Sequence, residues 1–302
     1  MKKRNFIFLI LLTIIFSLFV PQTVFADIGP KPQVEITFSG LEDQGEYYVT
    51  LLSEKDSLLG YQVYDPTDEN TAFCSPEDED YDIWLKFVNY VDSDGFYFLQ
   101  HFTRCDDDNH YRWGYCAPSV FKVLIYFPEK DAFIVSDIYD SYAMSSYFHA
   151  NVSIDNIENG ITYFDNITLK KSYDYTWEAV SLLARIVGTI GIEILFAIIF
   201  RYKSKKQLML ILYTNIATQV ILNVALNIIA FYFGWLAFSL LYIVTEIPVF
   251  IIEGIVYSVK MPKYIEGEKK RIWLVWIYAF VANLMSFAIG ALLAYFVPGI
   301  FM

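Results

Sequence analysis

Three carboxylates and one guanidinium stand in otherwise apolar stretches of this sequence: Glu193, Glu246 and Glu253, with Arg185. Beside them, residues 207–231 (QLMLILYTNIATQVILNVALNIIAF) carry Asn215, Gln219, Asn223 and Asn227 at four-residue spacing, and Asn283 follows in a later apolar run. On a helix that spacing keeps the four amides on one face, drifting slowly around it. Lipid offers an amide or a carboxylate no partner, so this face has to look inward at other helices or at a polar cavity. With three carboxylates against one cation, at least two glutamates lack a basic partner. Each is then protonated, amide-paired, hydrated or bound to a cation. The chemistry such residues serve is proton or cation handling; the competing role is as hydrogen-bonding glue between helices. Glue suits the Asn/Gln stripe, and proton or cation chemistry suits the glutamates, because gluing helices needs no charge.

Positioning these groups takes four membrane helices. Residues 177–200, 207–231, 235–259 and 272–300 are each apolar and long enough for a ~30 Å hydrocarbon core at about 1.5 Å per residue. Measured from the basic ends, Glu193, Asn215 and Glu253 are expected roughly 8–12 Å deep, and Gln219, Glu246 and Asn283 roughly 15–18 Å. Arg185 and Asn223 are expected roughly 22–24 Å in. Arg185 and Glu193 stand about 12 Å apart along one helix, so Arg185 is expected to reach Glu246 across the bundle. Pro248 frees the carbonyl of Val244 beside Glu246, which either opens backbone oxygens to an ion path or shapes helix packing alone. Ala279, Ala282, Ser286 and Gly290 form a small-residue packing face. The connections 201–206 and 260–271 are basic, whereas 232–234 carries no charge. Both basic connections are therefore expected in the cytoplasm, with residues 27–176 and the C-terminus outside.

The remainder agrees with that layout. Of 302 residues, 56% are hydrophobic and 19% aromatic, which places the chain in the membrane class. Residues 27–176 carry 28 acidic against 9 basic side chains, and residues 177–302 carry 6 against 10. So acidic a segment argues against nucleic acid and against docking onto anionic lipid headgroups; it suits cationic peptides or metal ions, or simply solubility. Residues 1–26 read as a signal peptide: Lys2, Lys3 and Arg4, an apolar run, Pro21, then Val24-Phe25-Ala26. Residues 27–172 read as one β-rich α+β domain outside the cytoplasm. Expected elements are a hairpin of strands 34–38 and 47–52, a helix over 82–91 and a strand over 96–102. A hairpin of 121–127 and 132–135 and a last strand over 161–169 complete it. Cys105 and Cys116 can close a short disulfide, leaving Cys74 over.

The motif Asp27-Ile28-Gly29-Pro30-Lys31-Pro32 resembles the start of exported domains in an uncharacterised group of bacterial membrane proteins. That resemblance implies an aromatic β domain followed by a few membrane helices, and no activity.

Several chemistries are excluded or discounted. His101, His110 and His149 all fall in the acidic segment, so the spans lack ligands for a zinc protease and the base for a serine protease. Glu246 and Glu253 are spaced roughly 10 Å along one helix, too far to share a proton as a hydrolytic pair. The acidic runs 77–80 and 106–109 miss the alternating oxygen pattern of a calcium loop. No phosphate-binding glycine loop is present, and no cofactor or metal is expected. The expectation is a β-rich extracytoplasmic domain followed by an all-α four-helix transmembrane bundle, acting as a multi-pass cell-membrane protein. Its domain would bind a ligand or a membrane or cell-envelope protein. The alternatives are a proton- or cation-coupled transporter working through the glutamates and, more remotely, an intramembrane enzyme.

Overall fold

A computed structural model describes residues 29–41, 44–105, 109–154, 156–264 and 272–296. The expected signal segment, most of the acidic run 106–109, the basic stretch 265–271 and the last residues lie outside the described ones.

The described residues of 33–171 form two main sheets, a small two-stranded one (Ser57–Leu58 with Tyr61–Gln62) and one short α-helix. One sheet has four strands in the order Ile167–Lys171, Ser145–Val152, Gln33–Ser39, His110–Trp113. Gln33–Ser39 runs parallel to Ser145–Val152 and antiparallel to His110–Trp113. The other sheet is centred on Tyr47–Ser53 and Val120–Phe127, which pair antiparallel. Val49 and Leu51 join Val34, Ile36 and Trp113 in the core between the sheets. Tyr48 and Leu52, on the opposite face, pack with Trp84 and Phe87 of helix α1 (Tyr81–Val88). The region is therefore three layers deep: helix, sheet, sheet. Fully burying an aromatic such as Phe87 contributes roughly 1.5–3 kcal/mol, so α1 is held by its buried face.

The expected hairpin of 34–38 with 47–52 does not form, because its two strands belong to different sheets. The burial pattern explains this. Gln33–Ser39 alternates, as a strand with one covered face should, whereas Tyr47–Ser53 is buried at every position and has to lie centrally between covering layers. The hairpin of Val120–Phe127 with Ala132–Val135 does form across Pro128–Lys130. The strand expected over 96–102 shrinks to Tyr97–Phe98. The last strand splits into Thr162–Phe164 and Ile167–Lys171, since Asp165 takes a positive φ of 62° and passes the chain between sheets. Among the described residues no disulfide joins Cys105 to Cys116. Cys105 points inward from its strand, and its thiol lies 3.4 Å from the His110 carbonyl.

Three long apolar helices follow, each sufficient to cross a membrane: α2 (Tyr175–Ile199), α3 (Lys205–Lys260) and α4 (Ile272–Phe296). Asp174 caps α2 by accepting from Thr176 N, and Ser204 with Gln207 makes a capping box for α3. The two central spans expected from sequence are a single helical run of 56 residues, broken only at Gly234, whose φ of 78° and ψ of −179° are not helical. Hydrogen bonds between Asn215 and Tyr257, and between Thr218 and Glu253, show that its two arms lie side by side. No loop is needed for the reversal, because glycine alone supplies these dihedrals without a Cβ clash. Ala279, Ala282 and Ser286 are buried, and Gly290 lies so close to the Tyr242 hydroxyl that a Cβ would collide with it. That is the packing face expected of them. Many large apolar side chains on the other faces remain exposed, Leu183, Val187 and Ile221 among them, as a lipid-facing surface requires.

His101 packs against Trp113 and Tyr61, with ring centroids 4.5 and 5.4 Å away. Burial holds its imidazole below the ordinary value of 6.5. The folded state then binds fewer protons, so stability is full above about pH 6.5 and falls as pH drops through 6.5 toward the folded value. In thermal melts of the full-length protein from about pH 8 to pH 5, His101→Phe should flatten part of the decline. An unchanged profile would contradict the assignment.

Candidate functional site

The carboxylates settle at two places. Glu253, on the second arm of α3, is fully buried. Thr218 on the first arm donates to its Oε1 at 2.6 Å, and Asn283 of α4 donates to its Oε2 at 2.8 Å. Glu193 of α2 is also fully buried; its carboxylate stands beside Glu253 and near the Asn215 amide, with no well-formed hydrogen bond to either oxygen among the described residues. Tyr278 donates to the Glu193 backbone carbonyl at 3.2 Å, and Asn215 donates to the Tyr257 hydroxyl at 2.9 Å. Two carboxylates, two amides, two phenols and a threonine thus meet where α2, both arms of α3 and α4 converge. Glu246 stands apart, half-buried beside Ile243, Phe250 and Phe287 in an apolar groove of about 230 Å³, with Oε2 unpartnered. Chemically, the convergent set can hold a proton or a small cation between Glu193 and Glu253.

Arg185 does not reach Glu246. Its Nη2 donates to Asn227 Oδ1 at 2.5 Å, and the guanidinium lies over the Phe238 ring, 5.2 Å from the centroid. The reason is rotational: Asn227 and Phe238 flank the bend at Gly234 and present acceptor and ring to α2. Arg185 lines a cavity of about 290 Å³ where the β-rich domain meets the helices, together with Lys31, Gln33, Glu178, Ser181 and Asn227. The domain is seated on the bend itself. Met144 N donates to Phe231 O at 2.9 Å, and Pro30 packs so closely on Gly234 that a Cβ there would lie 2.8 Å from the proline Cγ.

The amide ladder therefore works at its ends. Asn215 bonds across the arms and Asn227 bonds across to α2, while Asn223 donates only to the Gln219 carbonyl and amide oxygens of its own helix. Asn283 joins Glu253 directly, although simple depth counting puts them in different layers. Thr218, Tyr257, Tyr278 and Ser181 were not singled out by polarity and spacing, because Thr, Tyr and Ser are ordinary in membrane helices. Tyr257 could have been noticed four residues after Glu253, on the same face. Outside the bundle, the acidic loop beginning at Glu77 uses its own groups: Asp78 accepts from Ser75 N at 2.7 Å. Comparison with protein-family models, with curated proteins and with solved structures gives no match.

Asn283→Ala and Asn223→Ala separate the two classes of amide. Loss of Asn283 strips a donor from a buried carboxylate and should cost about 1–3 kcal/mol. Loss of Asn223 should stay within about 0.6 kcal/mol. Unfolding of the detergent-solubilised protein measures both, and equal costs would show that the Glu253 contact carries no special weight.

Proposed function

We propose that this chain is a multi-pass cell-membrane protein whose β-rich domain stands outside the cytoplasm and binds a ligand or envelope partner. Occupancy is passed to the polar interior of its helices. The observation that carries this reading is the seating of the domain on the α3 bend through Met144, Phe231, Pro30 and Gly234. A displacement of the domain acts on the bend, and the bend sets how Thr218 and Asn215 on one arm meet Glu253 and Tyr257 on the other. The orientation is supported by the basic connection 201–206, which lies at the end of the helices away from the domain.

Gly234→Ala tests the coupling. The positive φ costs a side chain about 1–2 kcal/mol, so amide exchange around Phe231 should quicken roughly tenfold. Partner retention from an envelope extract should persist, while the partner-induced change near Asn215 disappears. Unchanged exchange, or no envelope component retained by the wild-type protein, overturns the reading.

A second reading is a proton- or cation-coupled transporter, favoured by Glu193, fully buried beside Glu253 with no well-formed hydrogen bond to either carboxylate oxygen among the described residues. In proteoliposomes Glu193→Gln and Glu253→Gln should abolish ion flux with folding intact, and equal flux in wild type and variants would sink it.

A further inference from the structure

The cavity between domain and helices holds a guanidinium whose hydrogen-bond donors the protein's own groups only partly meet. Arg185 is 3% exposed; Nη2 is engaged by Asn227, but Nε and Nη1 meet no acceptor. Ser181, one turn earlier on the same face of α2 and 1% exposed, has an unpartnered Oγ as well. A buried guanidinium with two unmet donors is costly to hold. Both side chains line the same space, and Lys31 adds a second cation from the domain side. Among the described lining residues the one carboxylate is Glu178; it accepts from the Tyr173 hydroxyl and offsets part of the Arg185 charge from nearby, but gives neither Nε nor Nη1 an acceptor. What is missing is an oxyanion, and a planar guanidinium fork matches the oxygens of a phosphate.

The level of the cavity identifies the source. Tyr175, Tyr232, Phe233 and Trp235 surround this end of the helices and are exposed, as aromatic side chains are at the headgroup region of a bilayer. Leu183 and Val187, exposed on α2 flanking Arg185, continue the surface into the apolar zone. We propose that this cavity binds the phosphate of a phospholipid headgroup. Arg185 and Ser181 donate to its oxygens, Lys31 stands over it from the domain, and the acyl chains lie along the exposed flank of α2. The acidity of the domain does not oppose this, because its field is screened within about 8 Å at physiological salt and the contact with Arg185 is direct. The inference rests on the helices crossing a bilayer and not on the domain having a partner, so a domain that captures nothing leaves it standing.

The test uses the full-length protein in detergent, offered phosphatidylglycerol, a galactosyl diacylglycerol with the same chains, or inorganic phosphate. Bound lipid is counted by native mass spectrometry and Tm is followed in parallel. Wild type should retain one phosphatidylglycerol, exclude the galactolipid, and show a Tm increase with the phospholipid alone. Arg185→Gln should weaken retention about ten- to hundredfold, and Lys31→Gln should weaken it severalfold. Should Arg185→Gln fail to fold, Lys31→Gln and Ser181→Ala decide. Equal retention of both lipids, or equal phosphatidylglycerol binding in wild type and the variants, overturns the site. Stabilisation by inorganic phosphate without any by phospholipid overturns the lipid assignment.

Discussion

Everything beyond the sheets depends on one backbone constraint, the reversal of a 56-residue helical run at a single glycine. An ordinary residue resists the dihedrals Gly234 adopts, and Pro30 and Met144 leave no room for a side chain there. Because the reversal takes one residue, the two arms of α3 are locked in longitudinal register. That register brings Asn215 to Tyr257 and Thr218 to Glu253. A longer, looser connection would let the arms slide, and each polar group would then face hydrocarbon in place of its partner.

The same constraint joins the two halves of the molecule. The strand Ile167–Lys171 runs into α2 with only Ser172, Tyr173 and Asp174 between, and Phe231 packs its ring on Tyr142 and Tyr173. The domain is held at both ends of its contact, by covalent connection on one side and by the bend on the other. Gly29, Pro30 and Lys31 lie at this junction. Gly29 faces Leu236, Pro30 covers Gly234 and Lys31 borders the cavity.

Sequence reasoning succeeds here where a signal is local. The helix at Trp84 and Phe87, the turn at Pro128 and the apolar runs all announce themselves over a few residues. It fails where the partner is chosen by rotation and tilt. Tyr47–Ser53 follows Gln33–Ser39 closely, and nearest neighbours usually pair, but a strand apolar on both faces has to seek the middle of a covered sheet. Arg185 was recognisable as a buried charge in want of an acceptor; that the acceptor is Asn227 rather than Glu246 depends on which face α2 turns toward the bend. The tripeptide Tyr232-Phe233-Gly234 reads as an uncharged connection between spans, and only the backbone angles reveal that it is hardly a connection at all.

The pairing of Gln33 with Ser145 has a consequence for how the molecule comes into being. These neighbours are 112 residues apart in the chain, and contacts of such separation form slowly because a long loop has to close first. During synthesis the first strand waits, its edge open, until nearly all of the domain has been made. The cavity between Lys31 and Arg185 can close only after that strand has docked and the arms of α3 have folded back. Its domain-side wall combines the start of the domain with Gly114, Met144 and Ser145, and its other wall is contributed by helices made after them, so the site is among the last features of the molecule to be assembled.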